Sequence, residues 1–155
     1  MTEPLEPVRR KPSNPRRDRD LAHLARLMAG QGLEEVEGLR QQPPPPALLQ
    51  GVSQFNDGSF FDAHVTWEPL WRKAWYPGKL FYQGLIKAAV GQAHMKRGNP
   101  TGATSQSHDA MLLLQPFAPM CLAIDVGQLI SGLEHFVGTL EVGADPPTLN
   151  VIVSQ

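Results

Sequence analysis

The sequence predicts an all-α protein: a bundle of antiparallel helical hairpins with about five core helices, preceded by a disordered, basic N-terminal arm. Three observations support this prediction. Apolar side chains recur at helical spacing through most of the chain after residue 20. Helix-capping and turn residues separate these stretches. No stretch of the core alternates polar and apolar residues for long enough to build a sheet.

The composition limits the class of protein further. A chain of 155 residues, of which 41% are apolar, suits one folded domain and excludes a wholly disordered chain. Its uninterrupted apolar runs are short, so no membrane-spanning helix is expected. The single cysteine, Cys121, cannot form an internal disulfide, and the first residues lack the apolar core of a secretion signal. Together these features favour the cytoplasm.

Residues 1–19 are predicted to form the disordered arm, because residues 1–17 contain four prolines and few apolar side chains. Residues 1–20 carry six basic side chains against four acidic ones, whereas the rest of the chain is mildly acidic. Weak nucleic-acid binding would therefore have to come from this arm, and a solvated leader is the alternative. Its basic residues are Arg9, Arg10, Lys11, Arg16, Arg17 and Arg19.

Residues 20–46 are predicted to contain two short helices and a proline linker. Helical spacing begins at Asp20 and stops at Gly30, and a second short segment covers residues 33–40. Pro43–Pro46 form a stiff, extended connector, so we place the main domain boundary there. The helical bundle domain then covers residues 47–142, and residues 143–155 form an extended C-terminal tail.

Turn and capping signals divide the bundle into helices. After a first apolar stripe up to Phe55, helices are predicted at 59–73 and 79–97, followed by one that ends before Pro116 and one that begins at Asp125. Gly98 is a natural helix stop, so the helices on either side of it should form a tight antiparallel hairpin. The residues expected at helix starts are Ser59 and Asp62, Asn99, and Asp125.

A histidine and a glutamate share one face of the helix predicted at 59–73. His64 and Glu68 are four residues apart and lie on the arc of Trp67 and Trp71, so both polar side chains should be at least partly buried. Gln83 and His94 follow a polar stripe on the next helix, which either faces solvent or faces the helix at 59–73, where the two residues would join His64 and Glu68 in a polar cluster. Three interpretations stay open: a structural polar pair, a general acid/base pair formed by His64 and Glu68, or a metal site formed by His64, Glu68 and His94.

Two signatures then resemble a known family. They comprise Phe55-Asn56-Asp57-Gly58-Ser59-Phe60-Phe61-Asp62-Ala63-His64 with Trp67-Glu68 and Trp71-Arg72, and Phe81, Gln83-Gly84-Leu85-Ile86, Ala88-Ala89, His94, Arg97-Gly98-Asn99 and Gly102-Ala103. Over about residues 47–140 the chain resembles the bacterial, archaeal and plastid family called domain of unknown function 309. The resemblance implies an all-α bundle of hairpins and no particular reaction. It places the family's polar motif on Asp62, His64, Glu68, Gln83 and His94.

The chain departs from the family pattern at three positions. Asp62 replaces a glutamate, Val65 replaces a second glutamate after the histidine, and Pro69 stands where an ordinary helix former is usual. An interior proline removes one backbone hydrogen bond, so a kink is expected near Glu68.

A non-enzymatic module that binds another protein is the leading functional hypothesis. It rests on hairpins that resemble tetratricopeptide-type packing and on the lack of a complete catalytic set. Trp75, beside Tyr76 and Pro77, is a candidate contact patch. The alternative is a small hydrolase or metal-assisted enzyme that uses His64, Glu68 and His94. No cofactor is assigned.

Overall fold

The computed structural model describes residues 14–154 and confirms the all-α prediction. Two two-residue strands and one turn of 3-10 helix (Gln115–Phe117) accompany the helices. The helices are α1 (Pro15–Met28), α2 (Leu33–Arg40), α3 (Pro46–Asn56), α4 (Phe60–Lys73), α5 (Gly78–Lys96), α6 (Pro100–Leu114) and α7 (Val126–Glu141), and the strands are β1 (Met120–Cys121) and β2 (Ile124–Asp125). None of the helices within 14–154 has the length and apolar character needed to cross a bilayer.

Helices α3 to α7 pack mainly against their neighbours in sequence, as antiparallel hairpins require. Helix α5 is central and lies between α4 and α6. Small residues bring α5 and α6 close together: a Cβ on Gly84 would lie 2.7 Å from Leu114, and one on Gly91 would lie 3.2 Å from the Ala103 carbonyl oxygen. The tight hairpin predicted around Gly98 is therefore packed almost backbone to backbone.

The first helix begins earlier than predicted, at Pro15 instead of Asp20. The Asn14 side chain accepts hydrogen bonds from the backbone N–H groups of Arg16 and Arg17, at 3.1 and 3.3 Å, and Pro15 occupies the first helical position. Residues 15–19 of the predicted arm are thus helical, because the cap and the proline start a helix there. Residues 1–13 of the predicted arm, with Arg9, Arg10 and Lys11, lie outside the described residues.

Arg40, the last residue of α2, holds this helix to the loop that follows α6. Its guanidinium group donates hydrogen bonds of 2.6–3.1 Å to four carbonyl oxygens of that loop. The acceptors belong to Pro116, Phe117, Ala118 and Met120. Helix α2 therefore packs on the same loop that leads into the β1–β2 pair.

The β1–β2 pair was not expected from the sequence. Its turn residues Leu122 and Ala123 have φ values of 48° and 66°, which are unusual for residues other than glycine. The turn is held from outside, because the Ala123 carbonyl oxygen accepts a 2.7 Å hydrogen bond from the Ser154 N–H and Leu122 is buried. Long-range contacts therefore stabilise a conformation that the local sequence disfavours.

The C-terminal segment is extended, and it packs into the bundle. Leu149 and Val151 are buried, and Val153 forms a β-bridge with Ile124. The Asn56 side chain donates to the Val151 carbonyl oxygen at 2.9 Å and accepts from the Val151 N–H at 2.8 Å. The tail thus completes the core beside the end of α3.

Candidate functional site

His64 and Glu68 lie beside each other on α4, and Glu68 also pairs with Arg72. The His64 Nε2 atom lies 3.6 Å from a Glu68 carboxylate oxygen, and the other carboxylate oxygen accepts a hydrogen bond from Arg72. About a third of each of the first two side chains is exposed, at 28% and 31%, and Arg72 is 65% exposed. Because Glu68 contacts both His64 and Arg72 at a partly exposed position, the row stabilises the helix.

The two tryptophans predicted beside this pair have other partners. Trp67 is fully buried, and its indole N–H donates a 3.0 Å hydrogen bond to the Leu48 carbonyl oxygen of α3. Trp71 is buried between two cations, with Arg16 at 4.7 Å and Lys79 at 5.0 Å from its ring centre. Trp67 therefore joins α3 to α4, and Trp71 joins α1 to the α4–α5 corner.

Gln83 and His94 do not meet His64 and Glu68, which corrects the predicted polar cluster. Gln83 lines a polar cleft of about 420 Å³ between α1, α5 and α6. His94 lies at the α5–α6 turn, where its Nδ1 atom is 3.2 Å from the Asn99 side-chain nitrogen. Both residues are on the side of α5 that faces α6, because α4 packs against a different side of α5.

The proposed metal set is consequently not assembled. His64 and Glu68 are neighbours, but His94 has its contacts at the start of α6. Within residues 14–154, no group of three histidine, cysteine or acidic side chains is arranged so that it could hold a metal ion. The residues whose spacing suggested a metal site therefore lie in two different parts of the bundle.

Helix α4 continues through Pro69 to Lys73 without a break. Pro69 has no N–H for the carbonyl of Val65, but both residues lie on the exposed side of the helix. Water can therefore hydrate this carbonyl group, and the proline is tolerated. The departures from the family pattern at Val65 and Pro69 both leave apolar atoms at the surface.

Two of the predicted caps use their side chains and one does not. Asn99 accepts a 3.0 Å hydrogen bond from the Gly102 N–H, and Asp125 accepts one of 2.9 Å from the Gln128 N–H. Ser59 precedes α4 as predicted, but its side chain makes no capping hydrogen bond. Asp62 still lies in the first turn, where a negative charge is favourable.

An apolar groove of about 430 Å³ lies beside the predicted contact patch, and we call it the Trp75 groove. It lies between α2, the end of α4 and the α4–α5 turn. Its walls include Glu35, Leu39, Leu70, Lys73, Trp75 and Tyr82. Trp75 is 89% exposed, the highest exposure among the large apolar side chains of the described part. The sequence Trp75-Tyr76-Pro77 predicted a contact patch here, but it did not predict that α2 forms one wall of the groove.

Tyr76 fixes one end of the Trp75 groove to α1. Its ring stacks on His23 with a centroid distance of 3.7 Å, and its hydroxyl donates a hydrogen bond to the Asp20 carboxylate. Burial, followed by this contact with Asp20, raises the pKa of Tyr76 to about 12. The turn that carries Trp75 is therefore anchored on its inner side while Trp75 points outward.

The chain folds into an all-α bundle of helical hairpins. The residues of its polar motif lie in separate contacts between helices. Residues 48–106, from the first turn of α3 into α6, match the family model described as Domain of unknown function (DUF309). The resemblance is thereby confirmed for this stretch, which contains His64, Glu68, Gln83 and His94.

A search of curated proteins matches an uncharacterized protein of Aquifex aeolicus (strain VF5), 32% identical over 103 residues. The aligned part is 66% of this chain and 31% of the relative, so the match spans about a third of that protein's length. No solved structure matches the chain significantly.

Proposed function

We propose that this protein is a non-enzymatic helical module that binds a segment of another protein in the Trp75 groove. The observation that carries the proposal is the almost complete exposure of Trp75 at the rim of an apolar recess. A tryptophan side chain offers about 200 Å² of contact area, and burying it would contribute up to about 5 kcal/mol. Exposed tryptophans beside pockets are frequent energetic centres of protein interfaces.

The groove favours an apolar ligand segment with charges on both flanks. Leu39, Leu70 and the Tyr82 ring supply apolar walls, Glu35 lies on the α2 side and Lys73 on the α4 side. A short amphipathic segment would place one apolar side chain against Trp75, a basic group near Glu35 and an acidic group near Lys73. This arrangement sets both the position and the direction of the bound segment.

Enzymatic function receives less support from the same geometry. General acid/base chemistry requires the proton-transfer groups to surround a space where a substrate fits, whereas His64 and Glu68 lie one turn apart along a single helix. The pair has a sufficient structural role, because it extends the ion-pair row to Arg72. A cytoplasmic location belongs to the same proposal and agrees with the free, buried thiol of Cys121.

Selection from a library of short random peptides displayed on phage tests the proposal. The wild-type chain serves as the target, with counter-selection on Trp75→Ala. We expect enriched sequences with one large apolar residue flanked by a basic and an acidic residue. Synthetic copies should bind the wild type and the control Val142→Ala equally, because Val142 is also exposed but lies at the end of α7. They should bind Trp75→Ala at least about tenfold more weakly.

Two results would refute this function. One is a failure to enrich any sequence family over the Trp75→Ala target. The other is enrichment of peptides whose affinity is the same for wild type and Trp75→Ala, measured by fluorescence anisotropy. Charge-reversed peptides provide an internal check, since they should lose affinity if Glu35 and Lys73 guide binding.

A further inference from the structure

A cleft between α1, α5 and α6 brings polar side chains of three helices together. Its volume of about 420 Å³ lies within the range of small-molecule sites, and its walls include the polar-motif residue Gln83. We call it the Gln83 cleft. It shares no lining residue with the Trp75 groove. A binding site is distinguished from ordinary surface by polar groups that converge on one space, as they do here.

Three uncharged polar side chains in the Gln83 cleft are free to bind a ligand. Gln83 belongs to α5, and Ser105 and Gln106 belong to α6. Both glutamines are half-buried, and no group within residues 14–154 forms a hydrogen bond with any of the three side chains. The amides therefore offer both donors and acceptors to a molecule that enters the cleft.

The charged groups that line the Gln83 cleft leave one positive charge in excess. The cations are Arg16 and Arg17 of α1 and Lys87 of α5, and the acids are Asp20 of α1 and Asp109 of α6. Lys87 Nζ lies 3.5 Å from a carboxylate oxygen of Asp109, so these two charges balance each other. Asp20 is buried and accepts a hydrogen bond from the Tyr76 hydroxyl, so its carboxylate already has a partner on the inner side of α1.

Arg17 is the cation best placed to bind an anion. The Arg16 guanidinium lies over the Trp71 ring, 4.7 Å from its centre, whereas Arg17 is exposed and makes no ion pair with any residue from 14 to 154. A guanidinium group binds a carboxylate through two parallel N–H hydrogen bonds. Asn14, which caps α1, also lines the cleft, so the positive end of the α1 dipole adds to the attraction.

We propose that the Gln83 cleft binds a small molecule with one carboxylate group and a polar body. Arg17 pairs with the carboxylate, and the amides of Gln83 and Gln106 bind the hydroxyl or amide groups of the molecule. A phosphate monoester carries close to two negative charges at neutral pH and exceeds the single positive charge in excess, so a carboxylate is favoured. This inference goes beyond the proposed function and rests on different residues.

Ligand screening by NMR on the full chain tests the proposal. The probes are small monocarboxylic acids with one or two hydroxyl or amide groups, and each is paired with its primary amide at equal ionic strength. We expect several acids to shift the Gln83 and Gln106 amide signals saturably, with dissociation constants below about 10 mM. The paired amides should bind at least about tenfold more weakly, because they lack the charge that Arg17 recognises.

Three variants test the assigned charges with the best acid. Arg17→Gln should weaken binding at least about tenfold, and Arg26→Gln, in the last turn of the same helix, should leave it unchanged. Asp109→Asn should tighten binding about threefold, because it removes a negative charge from the cleft and releases Lys87. Circular dichroism verifies that each variant is folded.

The proposal is overturned if no acid shifts the cleft signals saturably below about 10 mM, or if the paired amides bind as tightly as the acids. Equal binding by the wild type and Arg17→Gln, or binding by Asp109→Asn no tighter than that of the wild type, would also overturn it. Inorganic phosphate that binds more tightly than every acid would refute the choice of a carboxylate. Trp75→Ala should bind the acids normally, so this proposal and the proposed function can fail separately.

Discussion

Replacing Gly51 by alanine tests the contact that joins α3 to α4. A Cβ at this position would lie 2.0 Å from the Trp67 Nε1 atom and 2.5 Å from the adjacent ring carbon. Non-bonded heavy atoms prefer about 3.5–4.0 Å, so the two groups cannot both keep their places. Trp67 has no room to retreat, because it is fully buried and hydrogen-bonded to the Leu48 carbonyl oxygen.

Two effects of this substitution lower the stability and one raises it. Overpacking a tight core costs about 1–3 kcal/mol, and more when the obstacle is rigid. Displacing the indole also loses a hydrogen bond worth about 1 kcal/mol. Alanine is a better helix former than glycine, which returns about 1 kcal/mol. The free energy of unfolding should therefore fall by about 1–3 kcal/mol, and the melting temperature by roughly 2–12 °C.

Urea denaturation followed by circular dichroism measures this change, with Gly138→Ala as the matched control. Gly138 is also inside a helix, but nothing lies within 4 Å of its added Cβ, so this variant should be stabilised by about 0.5–1 kcal/mol. A smaller partner should relieve the clash, so Gly51→Ala should cost less in a Trp67→Phe background. If Gly51→Ala is as stable as the wild type, the packing described for Trp67 is wrong.

Three further outcomes are expected. Asn99→Ala should lower the free energy of unfolding by about 1 kcal/mol and Ser59→Ala by less than about 0.5 kcal/mol. Of these two residues, only Asn99 makes a capping hydrogen bond, and chemical denaturation measures both variants. Arg40→Met should cost about 3 kcal/mol by the same measurement, because four carbonyl groups lose their donor. Burial raises the pKa of Tyr76 and Tyr82 to about 12, so ultraviolet titration should show little tyrosinate near pH 10. The folded state then holds protons that the unfolded state has lost, so the contribution of the two tyrosines to stability should be complete below about pH 10 and be lost as the pH rises toward 12, with a smaller loss in Tyr82→Phe.

The helix boundaries were predictable wherever the signals are local. The segment 33–40 matches α2, the helix predicted at 59–73 differs from α4 by one residue at its start, and the helix predicted at 79–97 differs from α5 by one residue at each end. Capping and turn residues act through hydrogen bonds to the nearest backbone groups, so they act within a few residues of sequence. The start of α1 was misjudged because Pro15 was treated as a sign of disorder, although proline is favourable at the first helical position.

The placement of the polar motif could not be predicted in the same way. Helix α5 is buried on most of its circumference, so its periodicity does not reveal which side faces α4 and which faces α6. Gln83 and His94 were assigned to the α4 side and lie on the α6 side. The Arg16–Trp71 and Arg40–loop contacts likewise join residues far apart in sequence, and no local pattern encodes them.

The Trp75 groove combines a part of the chain inside the family match with a part outside it. Trp75, Lys73 and Tyr82 belong to the matched residues 48–106, whereas Glu35 and Leu39 come from α2. Helix α2 is held in place by Arg40, whose acceptors also lie beyond the matched stretch. If the groove binds a partner, its selectivity therefore depends on α2 as well as on the shared helices.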